Sequence, residues 1–350
     1  MPQTLTQTFT PSRLKVARLR LGMSLTKLAA ESGVSLRSLT EYEGGKRAPS
    51  ADAVRRLGES LNVPVSFFER DAVDPIPVEA VTFRKLSKVT ATRRNAVLAS
   101  ASLTLEFFAE VDARFRLPDP CVPTLDKYAP EHAAEAVRHH WNLGDRPVPN
   151  LIHLLESKGV RIAALDHTYD DVDAFCLYRD GVPYVFLNTS KSAERQRFDA
   201  AHELGHLVLH SEIDIDKHDS KEREAEANAF AANFLMPAPA VLAQSMASAS
   251  VDRILRAKTF WRVSAMAMTH RLHELDLLSP WQYRATCITL SERGYRASEP
   301  GGFVPETSQL LRKVMYGPST RLGTRDAAKA LSVHADEVRR FVRDLVPTSA

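Results

Sequence analysis

Between residues 11 and 68 apolar positions recur at helical spacing, in short runs broken by small turn residues. Residues 13–21 carry Leu14, Val16, Ala17 and Leu21 and stop at Gly22. A second run from Ser24 stops at Gly33, a third opens at Ser35 and closes at Gly44-Gly45, and a fourth starts after Pro49-Ser50. Four or five helices in so short a stretch make a compact bundle. After Phe67-Phe68 comes DAVDPIPVEA, whose two prolines exclude a continuous helix and predict a linker, with a boundary near residue 72. Helical patterning returns over 84–116 and 131–141, interrupted by proline-bearing stretches at 118–123 and 147–149.

The period then changes. Residues 160–165, 174–179 and 183–187 are short and β-rich, the last two joined by Asp180-Gly181, which reads as a hairpin. A helix is predicted over 194–210 and an alanine-rich one over 222–235, ended by Met236-Pro237. The remainder to Ala350 is mostly helical and shows no repeats. The fold expected is mainly α with a small β-sheet (α+β), divided into units of 1–72, 73–245 and 246–350.

The chain has 350 residues, 44% hydrophobic and 25% charged, which is the composition of a globular protein and not of a disordered or fibrous one. No run of 18 or more apolar residues is present, and the N-terminus has no apolar signal core, so no membrane partner and a cytoplasmic location are expected. Cys121, Cys176 and Cys287 are isolated, which argues against a disulfide framework or a thiolate metal cluster. Any metal must then be held by histidine and carboxylate. The net charge of +3 indicates no partner, but residues 11–66 hold ten Lys/Arg against five Asp/Glu, so nucleic acid is sought at that end.

His202-Glu203-Leu204-Gly205-His206 places two imidazoles four residues apart, one above the other on a helix, with a glutamate between them. Asp199, His202, Glu203, His206 and His210 form one polar stripe, and Phe198, Ala201, Gly205 and Val208 form an apolar face opposite. Such a pentapeptide arises by chance in about one chain in a hundred of this length, so a third ligand is needed to give it meaning. Metallopeptidase motifs that add Gly and His three and six residues on are excluded, because Leu209 and Glu212 stand there. His210 is about 12 Å along the axis from His202, too far to share an ion. Glu224 is the favoured third ligand, with Asn228 four residues on positioned to hold a ligating histidine; Glu226, His218 and Asp219 are the competitors. Two histidines and one carboxylate make the donor set of a catalytic zinc site, with Glu203 as general base. The oxyanion donor is left open among Tyr184, His167, Tyr169 and His270.

The stretches RQRFDAAHELGHLVLH and EREAEANAFAANFLMP resemble the ImmA/IrrE family of bacterial metallopeptidases. The resemblance extends to Asp173-Ala174-Phe175 and Tyr184-Val185-Phe186-Leu187-Asn188 upstream, and to Trp261-Arg262-Val263-Ser264 and Arg271-Leu272 downstream, over roughly residues 80–300. It implies a zincin-like core within 73–245 and a third-ligand glutamate in the second motif. Asp199 departs from the small hydroxyl residue frequent at that position.

Residues 12–61 resemble the Cro/repressor-type helix-turn-helix of the XRE family, including Ala29, Gly33, Leu39, Glu43-Gly44 and Pro49. The resemblance implies a DNA-binding domain over 1–72 that reads base edges with Arg37, Ser38 and Glu41 and meets phosphates with Lys27, Lys46 and Arg47. Leu25 replaces the family's frequent glutamine, which puts the usual contact there in question. A bundle that binds protein instead of DNA is the plainer alternative. Near the end, residues 326–331 and 335–346 read as an ordinary helical hairpin with Arg339, Arg340 and Arg343 on a solvated face.

The function expected is a DNA-binding transcriptional regulator with zinc-dependent endopeptidase activity. Its partners would be a double-stranded operator and a protein substrate, either a helix-turn-helix repressor or the protein itself, in stress or mobile-element control. A homodimer is expected from paired half-sites. The rival is a repressor or antitoxin-like regulator whose zinc module senses or binds a partner without cleaving it. Glu203 weighs against the rival, since metal binding needs only His202, His206 and Glu224.

Overall fold

The computed structural model describes residues 9–78, 90–166, 172–211, 220–317 and 321–347. It opens with α1 (Pro11–Arg20), α2 (Leu25–Ser32), α3 (Leu36–Glu43) and α4 (Ala51–Leu61), closed by a 3-10 turn at Val65–Glu69. Serines start three of these helices: Ser24, Ser35 and Ser50 accept the backbone N–H groups of Lys27, Ser38 and Ala53. Gly33 ends α2 at φ 65°, a left-handed conformation that turns the chain into α3. Leu14, Leu28, Leu39, Leu57, Leu61, Phe67 and Phe68 fill the core of the bundle with no exposed surface.

Residues 71–77 form neither helix nor strand, in keeping with their two prolines, but the segment is not a free tether. Val73 and Ile76 are buried, and Arg13 of α1 donates to the Asp71 carbonyl at 2.8 Å. The same arginine makes a two-pronged pair with Glu106, at 2.7 and 2.8 Å, on α5 (Ala91–Asp112). The bundle is therefore held flush to the body. The apolar sequence of α5 is explained by its place: Ala96, Val97, Leu103, Phe107, Phe108 and Val111 are all buried.

After α6 (Pro130–His140) and α7 (Leu151–Ser157) come β1 (Arg161–Ala164), β2 (Ala174–Arg179) and β3 (Val182–Leu187), in the order β1-β3-β2. β1 runs parallel to β3, and β2 and β3 form the expected hairpin, with Asp180 and Gly181 at φ 52° and 77°. Two positive φ angles in succession match the twist of the strands, and Asp-Gly tolerates them. One face of the sheet meets α8 (Ala193–Leu209): Tyr178 Oη donates to the Leu207 carbonyl at 3.3 Å and Cys176 Sγ to that of Glu203 at 3.4 Å. The other face meets α5, where Phe108 packs edge-on against Tyr184.

α9 (Ser220–Leu235) lies across α8, and then follow α10 (Ala238–Leu242), α11 (Val251–Trp261), α12 (Ala265–Glu274), α13 (Pro280–Glu292), α14 (Gln309–Tyr316), α15 (Thr324–Leu331) and α16 (Ala335–Phe341). No helix among the described residues is long and apolar enough to cross a membrane. The late helices return to the body through buried carboxylates. Glu306 accepts the N–H groups of Leu151 and Ile152 at 2.7 and 3.1 Å, capping α7, and pairs with Arg197 of α8. Glu156 caps α14 in the same way through Gln309 and Leu310, and burial raises its pKa against these bonds. Glu337 of α16 pairs with Arg20 of α1 at 2.6 Å, and α15 and α16 pack on α5 and β1. The pair at 326–341 is thus partly internal: Arg340 reaches Asp166 and Glu337, while Arg339 pairs with Asp336.

Glu306→Ala removes a helix cap and leaves the buried Arg197 without its carboxylate, so it should cost about 3 kcal/mol or more of stability. Urea denaturation beside wild type checks this; an unchanged midpoint would contradict the anchoring role.

Candidate metal centre

α8 begins at Ser192, which accepts the N–H of Arg195, and its first turns are fixed by ion pairs. Arg195 bridges Asp199, 3.1 Å away, and Asp173, 3.0 Å away at the entry to β2, while Arg197 pairs with Glu306. Asp199, whose role the sequence left open, is therefore a buried partner of Arg195. Every residue from Ala193 to Leu209 except Arg195 and Phe198 is buried, so both faces of the helix are covered, including the face expected to be polar.

On that face, three side chains converge. His202 Nε2 and His206 Nε2 are 3.1 Å apart, and Glu224 of α9 brings Oε2 to 3.7 Å from the first and Oε1 to 3.5 Å from the second. All three residues are buried, at 5, 3 and 7% exposure. Three ligand atoms lie within 4.8 Å of one another, which makes this a cluster able to hold a metal ion. A tetrahedral site with bonds of about 2.0–2.1 Å separates its donors by roughly 3.3 Å, and the spacings here bracket that value.

The far nitrogens of both rings are held. His202 Nδ1 lies 3.0 Å from Asn228 Oδ1, so this ring presents its Nε2 lone pair to the cluster by donating from Nδ1. His206 Nδ1 lies 2.9 Å from His210 Nδ1, whose Nε2 lies 2.8 Å from Glu226 Oε2. A proton on His206 Nδ1 requires His210 to accept at Nδ1 and donate from Nε2 to the carboxylate. Burial, opposed by Glu226, lowers the His210 pKa and favours the neutral ring that this chain needs.

His210, too distant to be a ligand, and Glu226, weighed as one, thus orient His206 instead. The His206-to-His210 spacing of one turn was the available signal for this chain; its far end, Glu226, stood out in the sequence only as a competing ligand. His218 and Asp219 lie outside the described residues, as do His167 and Tyr169. Tyr184 is set aside as an oxyanion donor because alternate residues face opposite sides of a strand pair. Cys176 and Tyr178 meet α8, whereas Tyr184 points to Phe108, where burial pushes its pKa up to about 12. His270 is exposed on α12 and bonded to Glu274.

In the first bundle, the face of α3 is open. The Arg37 side chain is 89% exposed and bonds Glu41 at 3.0 Å; Ser38 bonds Ser35; Lys27, Lys46 and Arg47 are exposed around them. Glu43 is committed to the scaffold, gripping Arg18 of α1 at 2.6 and 2.9 Å. That pair fixes the angle of α3.

Residues 155–273 match the family model described as the IrrE N-terminal-like domain, and residues 14–68 match a helix-turn-helix model. The chain joins a helix-turn-helix module to an IrrE-like domain. A 61-residue stretch is 39% identical to uncharacterized HTH-type transcriptional regulators of Sinorhizobium medicae (strain WSM419) and Rhizobium meliloti (strain 1021). The match takes in 17% of this chain and spans 44% of each relative's length.

Within the IrrE-like domain the decisive packing residue is Gly205, which the sequence pattern had assigned to the face away from the ligands. A Cβ there would stand 3.1 Å from the Phe230 ring and 3.2 Å from Ala227 Cα, so α9 lies against the backbone of α8. Along α9, Ala227, Ala231 and Ala232 are buried, whereas Ala225 is exposed. Ala229 and Asn233 instead line a cavity of about 880 Å³ with Glu131, Glu135 and Arg271.

For Gly205→Ala, the gain in helix propensity of about 1 kcal/mol opposes a shift of a few tenths of an ångström, and near-neutral stability is expected. Gly205→Val cannot be absorbed and should cost about 1–3 kcal/mol. Thermal unfolding of both variants tests the close approach; equal melting temperatures would refute it.

Proposed function

We propose that this protein is a DNA-binding transcriptional regulator whose IrrE-like domain is a zinc-dependent endopeptidase, acting in the cytoplasm on a repressor-type protein or on another copy of itself. The observation that carries this reading is a fourth buried group. His202, His206 and Glu224 suffice to hold the ion, yet Glu203 is also buried, at 5% exposure, beside the first ligand. A further carboxylate in such a place is costly and needs a function.

Zinc, when bound, supplies a Lewis acid that lowers the pKa of water and polarises a carbonyl. Glu203 takes the proton of the attacking water and returns it to the departing amine. Asn228 and the His210–Glu226 pair hold the imidazoles in the tautomer that leaves each Nε2 lone pair for the ion.

At the other end, α3 enters the major groove, with Arg37, Ser38 and Glu41 toward base edges and Lys27, Lys46 and Arg47 toward phosphates. Two copies of the chain would read two half-sites.

Glu203→Gln should keep zinc, measured by elemental analysis, and lose cleavage of a candidate repressor; His206→Ala should lose the metal. Asn228→Ala should weaken zinc affinity by about 10- to 100-fold in a chelator competition. Zinc in wild type with no cleavage of any candidate repressor would sink the peptidase reading.

On operator DNA, Arg37→Ala should relax sequence preference, whereas Lys46→Ala should weaken binding to all sequences and lower the salt slope by about 0.9. Binding that ignores salt would contradict the groove assignment.

A further inference from the structure

α13 has 13 residues, of which Thr286 and Leu290 are buried against its neighbours. Its outer face carries large apolar side chains: Trp281 is 77% exposed and Ile288 60%. At 100° per residue, Trp281, Ala285, Ile288 and Glu292 fall within about 60° of arc, with Arg284 at the border. Scattered exposed apolar residues are ordinary, but an aligned tryptophan and isoleucine two turns apart form a stripe.

The charges on this stripe decide what fits it. Arg284 and Glu292 are exposed, one turn before and one turn after Ile288. Neighbouring charges are engaged elsewhere, Arg293 with Asp252 at 3.4 Å and Arg271 with Glu274 at 3.3 Å. Among the described residues, neither Arg284 nor Glu292 has an ion-pair partner. A cation and an anion placed symmetrically about an apolar centre are complementary to themselves under a two-fold axis. Antiparallel pairing sets Ile288 on the partner's Ile288, Arg284 on the partner's Glu292, and Trp281 over the partner's C-terminal turn. Parallel pairing sets like charges together.

We propose that the outer face of α13 is a homodimer contact, occupied by α13 of a second copy. This rests on the reading that two copies serve two half-sites. One helix pair buries less than the roughly 1,200 Å² of a standard stable interface, so micromolar self-association is expected, reinforced on DNA by effective concentration.

Sedimentation velocity of the full chain from about 1 to 200 µM tests it, with circular dichroism confirming that each variant is folded. Wild type should dimerise, and Ile288→Arg should weaken the dimer about a hundredfold. Arg284→Glu and Glu292→Arg alone should each weaken it about tenfold, and the double exchange should restore it. A wild type that stays monomeric to about 200 µM overturns the α13 contact and leaves the stripe to a different protein, while the two-copy reading falls only if one chain binds each operator in sedimentation with DNA. A dimer indifferent to these variants overturns the α13 contact alone. A dimer that the single exchanges weaken but the double exchange does not restore overturns the antiparallel pairing.

Discussion

The fold turns on one constraint: a helix that carries two histidines, two glutamates and an aspartate is buried on both faces. Every buried polar group on α8 then needs a partner, and most of these come from elsewhere in the chain, because burial without one costs several kcal/mol. Gly205 makes this possible. Its missing side chain lets the α9 backbone come close enough for Glu224 and Asn228 to reach His202 and His206. The opposite end of the helix is settled by Arg195 with Asp173 and by Arg197 with Glu306. The site is pre-organised by packing, and its ligands have little freedom left to lose when an ion arrives.

What the sequence disclosed follows from the reach of each interaction. The His202-to-His206 spacing, the Asp180-Gly181 hairpin and the serine-capped helices are local, set within a few residues, and each is visible as a pattern. Glu224 and Asn228 were accessible because they share a second helical face close by. Long-range partners were not. Arg20 meets Glu337 across 317 residues and Arg197 meets Glu306 across 109, and no periodicity marks either carboxylate. Tyr184 was weighed as an oxyanion donor for the same reason: strand alternation puts it on one of two faces, but which face meets α8 depends on the assembled sheet.

The order of layers is also a long-range result. α8 lies on one face of the three-stranded sheet and α5 on the other, and α5 is gripped by Arg13 of the helix-turn-helix module. Phe107 of α5 packs on Phe341 of α16, whose Glu337 grips the same module through Arg20. The His202–His206–Glu224 cluster and α3 of the helix-turn-helix module therefore belong to one continuous packed body.

Continuity of packing is not a switch, which needs two arrangements of comparable free energy. Releasing the helix-turn-helix module requires breaking Arg20–Glu337, whose side chains are 2 and 8% exposed, as well as Arg13–Glu106. Opening exposes both charges of each pair to water, which repays much of the Coulombic loss, but it also uncovers the apolar contacts buried around them, Val73 and Ile76 among them, and an effector would have to prefer the open form by the whole of that difference. Chemistry on a polypeptide bond faces no such equilibrium, since hydrolysis is effectively irreversible once it occurs. On the proposed peptidase reading, so continuous a body is better suited to removing a partner protein than to rearranging itself, and that reading favours a substrate in trans over an internal hinge.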